Sequence, residues 1–182
     1  MQYRNDNQIA ADIKGITDGF LQTVHSIKDW QTLQMYQREQ DAEQEKVVRF
    51  FTVSLTRMGW QGRDNKVKID GKLYRTERWR ETRRVQFDCL LSRKLTDTTS
   101  TVTAVDVTRM LVAFFNGFAA TQAFKELGYN RLVVKNVRIP VELDDTDRFR
   151  LYPGFDLILV YDQELTSEIE STVLLEHGIY PI

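Results

Sequence analysis

The chain has 182 residues, with 25 Lys+Arg against 26 Asp+Glu, one Cys, two His and 42% hydrophobic residues. That length suits one domain of roughly 100–200 residues, and the apolar content is enough for a core, which excludes a disordered tail. A net charge of −1 excludes the basic balance of a dedicated nucleic-acid binder, and no run nears the ~20 apolar residues of a bilayer span.

Ile9, Ile13, Ile16, Phe20 and Val24 recur at steps of four, three, four and four, one apolar stripe on a helix. Asp6 or Asn7 is the expected N-cap, because a short polar side chain there accepts from the free amides. Thr32–Tyr36 is a short strand candidate, and the polar run Gln37–Lys46 reads as an exposed loop. From Val47 the strand signal resumes: Phe51, Val53 and Leu55 alternate with Thr52, Ser54 and Thr56, the pattern of a half-buried strand with the first set inward. Gly59–Lys72 then reads as a projecting hairpin arm or a long loop, and such loops are usually functional or disordered.

Tyr74–Leu91 is the longest strand candidate. Its second half puts Val85, Phe87, Cys89 and Leu91 on one face; its first half, Arg75–Arg84, is charged throughout. At about 3.3 Å per residue this strand overhangs an ordinary sheet. A Thr- and Ser-rich connector leads to Thr103-Ala104-Val105-Asp106, which resembles a capping box with Asp for Glu. Val107, Met110, Leu111, Phe114 and Phe115 follow at helical spacing. Gly117 ends or bends that helix, Ala119–Leu127 continues it, and Gly128 suits a left-handed C-cap. Leu132–Ile139 is a strand stopped by Pro140, Arg148–Pro153 a polar turn, and Phe155–Tyr161 a strongly β-prone strand. The tail at 171–182 is apolar, as in a terminus held by packing. This order predicts an α+β fold, a single mostly antiparallel sheet with helices on one face, in a single domain over residues 1–182.

The reactive groups form no catalytic set. His25 and His177 lack clustered co-ligands. Cys89 shares strand parity with apolar neighbours and reads as a buried thiol. The phosphate-loop, nucleophile-elbow and dinucleotide glycine motifs are all missing. Asp12-Ile13-Lys14, Asp64-Asn65-Lys66 and Asp70-Gly71-Lys72 have the spacing of a metal-dependent nuclease triplet, but none sits on a buried strand beside a second carboxylate, so a solvated surface outweighs that reading. Asp144-Asp145-Thr146-Asp147 lacks the Gly and distal Glu of a calcium loop and reads as a polar loop. No enzyme, cofactor or metal is expected.

Three blocks, taken together, resemble the tail terminator (neck or gateway) proteins of long-tailed bacteriophages. They are Val47–Thr56 with its Gly-containing arm, Arg80–Ser92 leading into Asp106–Asn116, and Leu127-Gly128-Tyr129 followed by Val133–Pro140, the acidic loop and Arg148–Asp162. The resemblance covers Ile9 to Thr166 in order of elements. It implies a virion structural protein made in the host cytoplasm, a ring-forming subunit whose homohexamer caps the tail tube, stops its polymerisation and meets the head–tail connector. The implied partners are further copies of the chain, the tail tube protein, connector or neck proteins, and the sheath terminal ring where the tail is contractile. DNA passes only through the lumen, and no membrane is involved. A head–tail joining or tail completion protein is the alternative.

A ring subunit needs faces for two neighbours, the tube and the connector, and the overhanging strand is the material for them. Strand parity puts Arg78, Arg80 and Arg84 on one face, and Glu77, Trp79, Glu81 and Arg83 on the other. With Trp60 in the arm and Arg75 near the strand's start, these Arg and Trp residues are candidate interface positions, since both types are enriched at interface hot spots. The plain alternative is a self-compensating solvated strand end, whose ion pairs contribute about 0–1 kcal/mol each. Asp144, Asp145 and Asp147 are the candidate counter-charges on a neighbouring subunit.

Overall fold

The computed structural model describes residues 3–35, 46–58, 65–70, 72–91, 102–139 and 152–169, with only the backbone at 65–69 and 169. Trp60, Asp144, Asp145, Asp147, the apolar tail at 171–182 and all of the loop expected at Gln37–Lys46 except Lys46, which begins a strand, lie outside the described residues. The order is α1 (Asp6–Thr23), a short 3-10 turn (His25–Ile27), β1 (Gln31–Gln34), β2 (Lys46–Met58), β3 (Asn65–Ile69), β4 (Lys72–Leu91), α2 (Ala104–Asn116), α3 (Phe118–Glu126), β5 (Tyr129–Arg138) and β6 (Gly154–Ile169). The strands form one sheet in the order β1-β2-β4-β6-β5, with β3 also paired to β4. Every pairing is antiparallel except β1 with β2. The α+β expectation is met.

Helix α1 forms on the expected stripe, but its N-cap is Asn5, not Asp6 or Asn7. The Asn5 side chain accepts from the Gln8 amide at 2.9 Å while Gln8 Oε1 accepts from the Asn5 amide at 2.9 Å. Only Asn5 has a Gln three residues on, so only it satisfies two orphan donors at once. At α2 the box expected at Thr103 is present: Asp106 N–H donates to Thr103 Oγ1, and Asp106 Oδ2 accepts from the Thr103 amide at 3.0 Å. Gly117 separates α2 from α3, and Gly128 follows at φ +85°, a conformation in which a Cβ is strained.

The helices cover one face of the sheet. Phe50, Val85, Phe87, Cys89, Phe155, Leu157 and Tyr161 join Ile9, Ile13, Leu21, Leu111, Phe115 and Phe124 in one buried cluster. Phe87 is its centre: its ring lies 5.7 Å from Phe50, 4.8 Å from Phe155 and 5.4 Å from Phe115. One aromatic side chain therefore joins three strands to α2. Cys89 is fully buried, and burial pushes its thiol up to about 12. The thiolate is the reactive form, so Cys89 is expected to resist a thiol reagent at pH 8 in the native chain and to react fully once urea unfolds it; rapid native labelling would contradict its placement.

Strand β2 departs from the sequence reading. Burial falls on the consecutive residues Val47 to Phe50, whereas Val53 and Leu55 are 43% and 50% exposed. The cause is twofold. The register shifts between Thr52 and Ser54, as at a β-bulge, and beyond that point β2 runs past the helices. Near its other end the sheet is buried on both faces: Val47, Arg49, Gln86, Asp88 and Asp156 point away from the helices and are still covered. Gly154 lies here, and a Cβ on it would sit 2.1 Å from the Phe87 carbonyl oxygen. Only glycine lets β6 start so close to β4.

A candidate assembly surface

The overhang is a ribbon rather than a single strand. Strand β6 pairs with β4 from Gly154↔Asp88 to Ile169↔Leu73, so it runs well past the expected end at Tyr161. On the other edge of β4, β2 pairs as far as Met58↔Arg80 and β3 continues from Asn65↔Thr76 to Ile69↔Lys72. Within Gly59–Lys72 the described residues show β3 pairing back on β4, with Asp70 between the two strands at φ +50°, and residues 59–64 lie outside the description.

On the face away from the helices the candidate arginines form a ladder with β6. Arg78 Nε donates to Glu164 at 2.8 Å, and Arg80 makes two bonds to Asp162, at 2.7 and 3.3 Å. Arg84 donates to Asp156 at 2.8 Å. Arg78 and Arg80 face their acids directly across the strands, while Arg84 reaches one pair diagonally. Arg80 holds the Asp162 carboxyl below its usual range. Exposed pairs of this kind contribute at most about 1 kcal/mol each. Further along, Asp156 is fully buried and also accepts from Asn136 at 2.6 Å and Arg138 at 3.1 Å. Burial alone raises a carboxyl pKa, but these bonds outweigh it and hold Asp156 below its ordinary value.

On the helix side, polar residues close the end of the core. Arg83 and Glu81 are each 4% exposed. Glu81 accepts from Trp79 Nε1 at 2.7 Å and from the Tyr161 hydroxyl at 3.0 Å, and burial pushes that hydroxyl up to about 12. Arg83 donates to the same hydroxyl at 3.2 Å and to Asp6 at 2.6 Å. Arg57 stacks over Trp79 at 4.5 Å. The chain's start is tied in by Arg4 N–H to Gln163 Oε1 at 2.8 Å and Gln163 Nε2 to the Arg4 carbonyl at 2.9 Å.

Of the candidate residues, Arg78, Trp79, Arg80, Arg83 and Arg84 thus lie together on the ribbon or its base, and Arg75 lies near the tip with Glu77 3.4 Å away. Arg83 is a buried structural residue, and the acids meeting Arg78, Arg80 and Arg84 belong to the same chain. Sequence reasoning missed those acids, as well as Arg57, Tyr161 and Gln163. The signal was the alternation of Asp162, Glu164 and Glu168 continuing the strand beyond Tyr161. It also missed where exposed apolar side chains gather: Val53, Leu55, Met58 and Leu165 are 43–58% exposed, and all four lie on the ribbon.

Two of the Asp-x-Lys triplets hold ordinary contacts, while the side chains of Asp64-Asn65-Lys66 lie outside the description. Asp12 Oδ2 accepts from Arg4 and from the Tyr129 hydroxyl, each at 2.8 Å, and Lys14 pairs with Asp18. Asp70 is exposed in the hairpin turn, and Lys72 lies 3.1 Å from Glu168. Among the described residues, no group of three or more His, Cys, Asp or Glu is placed to hold a metal ion. No helix among them is long and apolar enough to cross a membrane.

Comparison with known proteins adds what geometry alone does not. No curated protein matches the chain. A family model described as E217 gateway protein gp29 matches residues 11–171, a span that runs from the first turns of α1 past the end of β6 and so takes in the core and the whole ribbon. The chain belongs to the E217 gateway protein gp29 family, and is accordingly a structural bacteriophage protein of the gateway type, a component of the virion.

Proposed function

We propose that this protein forms a homohexameric ring at the neck of a long-tailed phage, where it caps the tail tube, stops its polymerisation and provides the surface that meets the head–tail connector. The observation that carries this reading is the family match, which spans most of the chain. The ribbon supports it: a surface stiffened by cross-strand ion pairs, with apolar side chains left in solvent, suits contacts made only on assembly. Its partners are its own copies, the tail tube protein and the neck proteins. The Arg78–Glu164, Arg80–Asp162 and Arg84–Asp156 pairs balance charge on one face, so DNA meets no strongly basic surface there and merely passes through. A joining protein of the same neck is the second reading, favoured by the word gateway in the family's description. Gold labelling of the chain in intact particles tests the placement: label at the head–tail junction is expected, and label at the far end of the tail would overturn it.

A further inference from the structure

The ribbon meets the helix-covered body of the protein at a break in the sheet's regularity. Strand β2 shifts register between Thr52 and Ser54, beside Val85 and Arg84 of β4. Strand β5 shifts between Tyr129 and Arg131, beside Tyr161 and Val160 of β6, which pair with Glu81 and Thr82 of β4. The two irregularities therefore flank the same stretch of β4, and bulges bend a strand and increase its twist. The sheet also narrows here. Among the described residues β1 pairs with β2 no further than Phe50 and β5 with β6 no further than Tyr161, while β2, β4 and β6 carry on. Fewer paired strands and thinner packing leave a segment easier to move.

The segment Tyr3–Asn5 crosses this bend. On the body side, Asn5 caps α1, and the Arg4 guanidinium donates to Asp12 at 2.8 Å and lies 4.9 Å over the Tyr129 ring. On the ribbon side, Arg4 N–H donates to Gln163 Oε1 at 2.8 Å and the Arg4 carbonyl accepts from Gln163 Nε2 at 2.9 Å. The Tyr3 ring lies 6.4 Å from that of Trp79. Gln163 and Trp79 are cross-strand partners, so the segment touches β6 and β4 at one level. Nearer the body, Asp6 at the start of α1 accepts from Arg83 of β4.

We infer that Tyr3–Asn5 is a strap that holds the ribbon at one angle to the body, with Gln163 as its positioning residue. The inference concerns this chain alone and does not rest on the ring reading. Asp12 and Tyr129 belong to elements of the body, whereas Gln163 and Trp79 belong to strands that run on past the bend, so the strap joins the two parts. Gln163 is 1% exposed, and its amide both donates to and accepts from the Arg4 backbone, as a neighbouring strand would. An ionised Glu in its place has no N–H to give and sets a second carboxylate near Glu81, whose Oε2 lies 3.4 Å from Gln163 Nε2. Leu would take away the partner of both Arg4 backbone groups. A surface held at one angle before a partner arrives loses less freedom on binding.

Pulsed electron spin resonance tests the strap. Labels at Lys125→Cys on α3 and Ser167→Cys near the ribbon's tip read the angle, since both positions are exposed and Cys89 is buried. Labels at Lys125→Cys and Gln22→Cys, exposed on α1, read the body alone. The parent chain is expected to give one narrow distance distribution for each pair. Gln163→Leu is expected to widen the body–ribbon distribution at least about twofold, because a hinge freed of its support samples more angles, and to leave the body pair unchanged. Tyr3→Ala, at a half-exposed ring, takes its place if Gln163→Leu does not fold, and should widen the same distribution. A broad body–ribbon distribution in the parent, parental width in the variant, or equal widening of both pairs would overturn the strap.

Discussion

Replacing Phe87 by Ala is expected to lower stability by about 3–5 kcal/mol, the range for deleting a buried aromatic ring. The ring is fully buried where β2, β4, β6 and α2 meet. Its loss leaves Phe50, Phe155 and Phe115 facing a void that a sheet fixed by long antiparallel pairings cannot close. Against a total of about 5–15 kcal/mol for a domain, this is a large fraction, and it should appear as a melting point lower by roughly 6–20 °C. Phe118, also an aromatic residue but 82% exposed at the start of α3, is the control: Phe118→Ala should change stability by no more than about 0.5 kcal/mol. Comparable losses at the two positions would mean that the core is not centred on Phe87.

The second large effect is expected at Asp156. Removing one member of a buried ion pair typically costs about 3–5 kcal/mol. Asp156→Ala should fall near the lower end, about 3 kcal/mol, because Arg84 keeps 41% of its side chain in solvent and turns outward when its partner is gone. The effect depends on pH in a definite sense. The folded chain holds the Asp156 carboxyl below its ordinary value, so the unfolded chain takes up this proton first. The contribution is complete above the unfolded value of about 3.9 and is lost as pH falls through the lower folded value. Urea titrations of wild type and Asp156→Asn should therefore differ by a constant amount above about pH 5 and converge below about pH 4. A difference that grew as pH fell would contradict the hydrogen-bond network drawn around this residue.

Much of this architecture could be read from the chain because it depends on local chemistry. The capping residues of α2, the glycine break before α3 and the apolar stripes of α1 and α2 are decided within a few residues of one another, as helix signals are. The sheet was harder for the same reason. Alternation shows which residues of β2 share a face, but not whether anything covers that face. Val53 and Leu55 have the pattern of core residues, yet among the described residues they lie on a stretch left exposed to solvent. The second half of β6 was overlooked because Asp162, Glu164 and Glu168 are poor strand formers by themselves; their partners Arg80, Arg78 and Lys72 lie more than eighty positions earlier. The arginines of β4 stand out in the sequence as a group, yet the counter-charges of Arg78, Arg80 and Arg84 lie one strand away in the same chain. A strand's chemistry is completed by its neighbours, and one segment does not name them.

The central claim, that this chain ends the tail tube at the phage neck, is tested most directly by tail lengths. Electron micrographs of particles assembled without this gene product are predicted to show tubes of variable and excessive length. Tails of normal, uniform length would contradict the capping role; if they lie unattached beside filled heads, the chain's task at the neck is joining.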